Sequence, residues 1–256
     1  MAIEVFNRYE TKYMIPEELY RSIRPLLEEH MEPDSHSRNG EFYTICNIYY
    51  DTPDHAIIRR SLEKPVYKEK LRLRSYGMSG PGDMVYLEIK KKFNGCVNKR
   101  RTAMPLEEAY HYLETKQKPS AVYPVNGQIL NEIDYMVQRY SILRPVLFLS
   151  YDRNAMFGTE DRNFRVTFDT NIRTRREQVN LHSGDHGELL LPGGQWIMEV
   201  KTRDTVPLWF ARLLSQYDIY PVPFSKYGKE HEKYIRQDQK PGLQCKADGE
   251  HARLYA

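Results

Sequence analysis

Residues 67–102 constrain this chain most, because they put long charged side chains where an antiparallel sheet usually keeps its core. Lys70, Arg72 and Arg74 alternate with Leu71 and Leu73. Side chains of a strand point to opposite faces with a period of two, so the three cations share one face and the leucines the other. Gly77, Gly80, Pro81 and Gly82 supply turn chemistry. A second alternation over 84–92 then sets Val85, Leu87 and Ile89 against Tyr86, Glu88, Lys90 and Lys92. Asn94-Gly95 signals a hairpin, and a third strand over 96–104 carries Lys99, Arg100 and Arg101.

A single hairpin of this kind reads as the solvated face of an ordinary sheet. Four segments far away in sequence repeat the pattern, however: Arg8-Tyr9-Glu10-Thr11-Lys12, Tyr151-Asp152-Arg153, Arg165-Val166-Thr167-Phe168-Asp169 and Ile197-Met198-Glu199-Val200-Lys201. Charged faces on this many strands predict an α+β fold in which antiparallel strands form a closed β-barrel. Its lumen would be wet and cationic, with helices packed outside on the apolar faces.

The rest of the chain supplies those helices. Pro16 suits a first helical turn and Leu19, Ile23, Leu26 and Leu27 form an apolar stripe behind it. Residues 31–40 read as polar loop and 42–50 as an aromatic, β-branched strand. A short helix over 54–62, capped by Asp54, would turn Ile57, Ile58 and Leu62 inward. Two helices, over 105–116 and 128–140, are read as cover for the sheet. Strands at 146–154 and 163–170, a polar connection at 175–194, a strand at 196–202 and a helix from Pro207 complete the series. Trp209 and Phe210 on that last helix are expected to pack outside the sheet. Residues 1–236 read as one domain and 237–256 as a polar tail without periodicity, expected to fray.

Taken in order, the charged motifs are Arg-x-Glu-x-Lys, Lys-x-Arg-x-Arg, Glu-x-Lys, Lys-Arg-Arg, Tyr-x-Arg, Arg-x-Thr-x-Asp, Glu-x-Lys and Ser-Lys-Tyr. No one of them is specific, but the ordered series resembles the VTC domain of vacuolar transporter chaperone polyphosphate polymerases. That domain belongs to the triphosphate tunnel metalloenzyme superfamily, which includes the CYTH proteins. The turn Asp51-Thr52-Pro53-Asp54 after an aromatic strand is similar to one in CYTH proteins. The resemblance implies a catalytic set of Lys12, Arg72, Arg74, Lys90, Arg153, Arg165 and Lys201. It implies substrate contacts from Arg8, Lys70, Lys99, Tyr151, Ser225 and Lys226, and metal ligation, of Mn2+ or Mg2+, by Glu199 first and Glu88 next. Glu10 and Asp169 are expected to pair with neighbouring cations.

Cations crowded on one face repel one another unless a polyanion neutralises them, and a chain of phosphates has the required charge density. Arginine forks bind two phosphate oxygens at once, while lysines act as point charges. Phosphoryl transfer to a phosphate oxygen needs positioning and charge neutralisation and no general base. The implied activity is therefore transfer of the γ-phosphate of ATP onto inorganic polyphosphate. CYTH proteins carry Glu-x-Glu-x-Lys where this chain has Arg8 in place of the first acid, which favours transfer over hydrolysis. A tripolyphosphatase or nucleoside triphosphatase of the same fold stays open as an alternative, as does a catalytically silent module that binds polyphosphate.

Composition narrows the other classes. A formal charge of +3 over 256 residues does not announce a nucleic-acid binder, and the cations lack an interleaved stacking platform. The three cysteines have no metal-ligand spacing and no even count, which fits a reduced, cytoplasmic compartment. No apolar run approaches the ~20 residues a membrane helix needs. None of the eight histidines has a partner at metal or triad spacing.

Overall fold

The computed structural model describes residues 5–37, 40–119, 127–203 and 205–238; of residues 5–8 and 237–238 it describes the backbone alone. Of the tail expected over 237–256, the backbone of 237–238 continues the last helix, and the rest, with Cys245, lies outside the described residues. The chain folds as one ten-stranded antiparallel sheet with helices against it. In chain order the strands are β1 (Val5–Pro16), β2 (Met31–Pro33), β3 (Tyr43–Asp51), β4 (Tyr67–Tyr76), β5 (Met84–Phe93), β6 (Cys96–Pro105), β7 (Arg144–Gly158), β8 (Arg165–Arg175), β9 (Glu188–Leu189) and β10 (Gln195–Thr202). The helices are α1 (Glu17–Glu28), α2 (Ala56–Leu62), α3 (Leu106–Thr115), α4 (Gly127–Arg139), α5 (Leu208–Gln216) and α6 (Lys226–Asp238). Among the described residues no helix is long and apolar enough to cross a membrane.

Hydrogen bonding runs in the order β2-β7-β3-β4-β5-β6-β1-β10-β8-β9, and β7 pairs with β8 as well. Each of the eight long strands is therefore bonded to a long neighbour on both sides. At Asn94-Gly95 both φ angles are positive, 44° and 87°, the backbone a two-residue hairpin loop needs to match the twist of β5 and β6. Only glycine takes such an angle at the second position without strain.

The apolar face of β4, β5 and β6 packs under α3 and α4. Leu71, Leu73, Leu87 and Ile89, all fully buried, meet Leu106, Ala109, Tyr112, Ile129 and Ile133. Each such side chain contributes roughly 1.5–3 kcal/mol. A second apolar layer lies under α1 and α5, where Ile23, Leu27 and Phe210 cover Tyr13, Phe168, Met198 and Val200. Phe210 and its half-buried neighbour Trp209 thus pack where the sequence puts them. A third cluster joins α2 and α6 to the sheet through Ile58, Tyr49, Leu147, Leu149, Ile197 and Tyr227.

Three local readings are corrected. Asp54 does not cap α2: it pairs with Arg59 at 2.5 Å. The orphan amides of that helix go instead to Asp51, whose carboxylate accepts from Ile57 N and Ile58 N at 2.9 and 3.0 Å, and to the Thr52 hydroxyl, which accepts from Ala56 N. Residues 31–33 are not loop but β2, bonded to the far end of β7. The connection after β8 contains β9, and the Ser-Lys-Tyr segment opens α6.

Candidate active site

The charged face of the sheet is buried as deeply as the apolar one. Glu88 and Asp169 are fully buried, and Arg74, Arg153, Glu199 and Lys201 are less than a tenth exposed. These side chains meet side chains from other strands and, at one point, from the start of α6. Lys90 on β5 donates to Glu10 on β1 at 2.5 Å. Arg74 on β4 donates to the Tyr151 hydroxyl on β7 at 3.1 Å. The strand parity read from the sequence thus sends the cations of β1, β4, β5, β6, β7, β8 and β10 to one side.

Strand register explains the grouping. Lys70, Lys90 and Lys99 form one row across β4, β5 and β6, and Arg72, Glu88 and Arg101 form the next. Glu88 gathers three cations: Arg72 Nε at 2.6 Å, Arg74 Nε at 3.7 Å and Lys99 Nζ at 2.6 Å. Burial pushes its carboxyl up, but the charges of Arg72, Arg74 and Lys99 outweigh that and hold it well below the usual carboxylate range. Asp169 takes Arg153 through two bonds, 2.6 and 2.8 Å, and Lys226 from the start of α6. Burial raises this carboxyl too, and those two cations overcome it.

Glu199 lies between Lys201, 2.5 Å away, and Lys12, 3.7 Å away. Its carboxyl is held well below the ordinary value by Lys201, Lys12, Lys90 and Arg153 against the opposing effect of burial. Burial pulls the Lys201 ammonium down to about 7 in spite of Glu199. Lys70 stands apart. It donates to Ser225 Oγ at 3.0 Å and lies 5.7 Å from the Tyr227 ring. Among the described residues no carboxylate is within salt-bridge distance of it. Burial, then the charges of Lys90, Lys68, Lys12 and Arg72, bring Lys70 down to about 7.

The expected side chains are therefore gathered in three connected groups, around Glu88, Asp169 and the Glu10–Glu199 pair. Arg165 sits at their edge, half-buried and 3.1 Å from Asp34. Tyr151 lies beneath both Arg153 and Lys226, 5.1 and 4.4 Å from its ring centroid. Arg8 pairs with Val97 on β6, and its side chain lies outside the described residues. Several members escaped the sequence reading. Asn47 accepts from Arg74 Nε at 2.9 Å, and the Tyr49 hydroxyl accepts from Arg72 at 3.4 Å. Both lie on a strand whose aromatic composition hid its alternation. Arg101 shares the face of Lys99, two positions away, and period two alone would have found it.

The donor set admits a hard divalent ion at one place. Glu10 and Glu199 interact across β1 and β10 and offer carboxylate oxygens, the ligand class of Mg2+ and Mn2+. Among the described residues no three His, Cys, Asp or Glu side chains form a metal cage. Phosphate oxygens and water would complete such a shell, as they commonly do for Mg2+. Glu88 has both oxygens held by cations at 2.6 Å, whereas the second oxygen of Glu199 has its lysine at 3.7 Å.

Residues 7–234 match the family described as the VTC domain. Among curated proteins the chain is similar to Vacuolar transporter chaperone complex subunit 4 of Trypanosoma cruzi, 24% identical over 272 aligned residues, covering 88% of this chain and 34% of that protein. The subunit of the same name from Schizosaccharomyces pombe is 24% identical over 264 residues, covering 87% and 36%. The chain spans about a third of the length of these relatives. Among solved structures, HpAC1 from Hippeastrum, described as having a dominant triphosphatase activity, is 12% identical with a TM-score of 0.47, covering 90% of this chain and 96% of that one. With the match running from β1 to α6, the chain belongs to the VTC domain family.

Proposed function

We propose that this chain is a polyphosphate polymerase, moving the γ-phosphate of ATP onto a growing phosphate chain inside a cationic tunnel. The reading rests on one observation above others: on this buried face three cations share the single carboxylate of Glu88, and among the described residues Lys70 has only a hydroxyl as hydrogen-bond partner. Buried charge of one sign is costly unless it is paired. A polyanion supplies the missing partners. The additional β7–β8 pairing supports closure of the sheet around the site, with Ser225 and Lys226 at the start of α6 adding to the strand walls.

In this account Arg72, Arg74 and Arg153 grip phosphate oxygens bidentately, and Lys12, Lys70, Lys90, Lys99, Lys201 and Lys226 neutralise the chain. Glu88 and Asp169 hold the arginine forks in place before substrate arrives, so little reorganisation accompanies transfer. Glu199, with Glu10 beside it, is the place for Mn2+ or Mg2+, which supplies charge neutralisation on the transferred phosphoryl oxygens. The acceptor oxygen forms the new bond to the γ-phosphorus, and the bridging oxygen leaves with ADP, keeping the electron pair of the broken bond. Lys70 and Lys201, near 7 when empty, gain protons as phosphate closes on them. We place the protein in the cytoplasm, in keeping with the free thiols of Cys46 and Cys96.

A triphosphatase would use the same cradle, and its outcome is different. Incubation with ATP and Mn2+ followed by gel sizing should give long polyphosphate. Orthophosphate alone would make the chain a hydrolase, and no product with tight tripolyphosphate binding would make it a binding module.

A further inference from the structure

The two ends of the charged face differ in chemistry. At one end of β4 and β5 the row beyond Lys70 and Lys90 is again lysine, Lys68 opposite Lys92, with Lys64 close enough to depress Lys68. At the other end the face that carries Arg72 and Arg74 finishes in Tyr76, and the face that carries Glu88 runs through Tyr86 to Met84. Tyr76 is 41% exposed, on a strand whose other residues are all buried or half-buried.

Tyr76 belongs to an aromatic cluster. His36 stacks on it, with ring centroids 5.6 Å apart and planes 10° from parallel. Tyr86 meets it edge-on at 5.8 Å and 87°, and Tyr43 lies 6.1 Å away. Arg101 lays its guanidinium 4.6 Å from the Tyr86 centroid and reaches to 3.5 Å from the Tyr76 hydroxyl. Rings set edge-on and stacked around an open face, with an arginine at their base, suit a flat heteroaromatic ligand. Inorganic phosphate gains nothing from them.

Spacing ties the cluster to the site. Tyr76 and Arg72 are four residues apart on one strand, roughly 13 Å at the rise of an extended chain, and Arg74 lies between them on the same face. A planar base on Tyr76 would lead its phosphates past Arg101 and Arg74 to the Arg72–Glu88 row.

We infer that Tyr76, Tyr86 and His36 form a nucleobase-stacking subsite at this mouth, with Arg101 contacting the phosphate next to the ribose, so that a nucleoside triphosphate is told apart from inorganic tripolyphosphate. This rests on the transfer reading above. In-line displacement puts the leaving group and the nucleophile on opposite sides of phosphorus. With the nucleoside at the tyrosine end, the acceptor chain approaches from, and grows out toward, the Lys68–Lys92 end.

The test is calorimetric affinity for a non-hydrolysable ATP analogue and for tripolyphosphate. Tyr76→Ala should weaken the analogue about tenfold, the size of one lost base-stacking contact, and leave tripolyphosphate unchanged. Tyr76→Trp should restore the analogue, which a merely misfolded variant would not. The Lys68→Ala/Lys92→Ala double variant should weaken long polyphosphate more than the analogue. Equal losses for analogue and tripolyphosphate in Tyr76→Ala, or none for either, would overturn the subsite, as would loss of the analogue alone in the lysine pair. Wild-type protein that makes polyphosphate from ATP while Tyr76→Ala binds the analogue as tightly as wild type rejects only this inference. Wild-type protein with no affinity for the analogue rejects the transfer reading with it.

Discussion

Lys70 donates to Ser225 Oγ at 3.0 Å, a hydrogen bond that spans 155 positions of the chain and ties β4 to the start of α6. It gives a cation a neutral partner where the nearest charges are other cations. An ammonium in that position waits for an anion. Binding of tripolyphosphate should therefore take up protons, because the chain raises a Lys70 that is near 7 when the site is empty. Affinity should fall as pH rises from 7 to 9. Titrations in two buffers of different ionisation heat should show net proton uptake near pH 7.5, and Lys70→Met should abolish the share that Lys70 takes up and leave that of Lys201.

Glu88 predicts an asymmetry between its own loss and that of its partners. Glu88→Gln leaves three buried cations without their carboxylate and should cost about 3–5 kcal/mol, read by urea unfolding. Arg72→Ala leaves Arg74 and Lys99 on Glu88 and should cost far less, about 1 kcal/mol, while weakening tripolyphosphate binding by about 1.5–3 kcal/mol. Arg72→Ala as damaging to the fold as Glu88→Gln would mark Arg72 as structural.

Glu199→Gln should remove metal-dependent turnover and retain tripolyphosphate binding, because it deletes a metal-binding charge and keeps the cationic cradle. Activity of the variant is to be followed against Mn2+ concentration. An unchanged metal dependence would mean that another group holds the ion.

His231 is 2% exposed, and among the described residues neither of its ring nitrogens has a partner. It faces His55 at 5.3 Å, with Arg176, Arg59 and Asp51 around it and Glu230 and Tyr227 on its own helix. Burial first, then the charges of His55 and Arg176, push it down to about 4 from an ordinary 6.5. The unfolded chain thus binds more protons than the folded one between those values, so stability is full above 6.5 and is lost as pH falls toward 4. The loss should be on the order of 2 kcal/mol. Melting temperatures measured between pH 7 and 4 should fall less steeply for His231→Phe than for wild type, and equal slopes would contradict the assignment.

The period-two alternation made most of the site legible in the sequence, because a strand's geometry alone decides that Arg72 and Arg74 share a side and Leu71 and Leu73 the other. The helices followed from their apolar stripes. Sequence could not show that Asp51 rather than Asp54 caps α2. Asp51 also accepts from the Tyr227 hydroxyl at 2.8 Å, a partner 176 positions away, and that tertiary bond holds its carboxylate over the helix start. β2 was invisible because three residues carry no period, and only the overhang of β7 gives them a partner. Which carboxylate each cation takes is likewise set by register across strands, which is why Glu88 turned out to hold three.

A crystal structure with tripolyphosphate tests the central claim most directly. The account predicts a phosphate chain on the inner face, with oxygens within hydrogen-bond distance of Lys70, Arg72, Arg74 and Arg153. Tripolyphosphate bound on the outer surface, with Lys70 still on Ser225 and the arginines holding only Glu88 and Asp169, would contradict it.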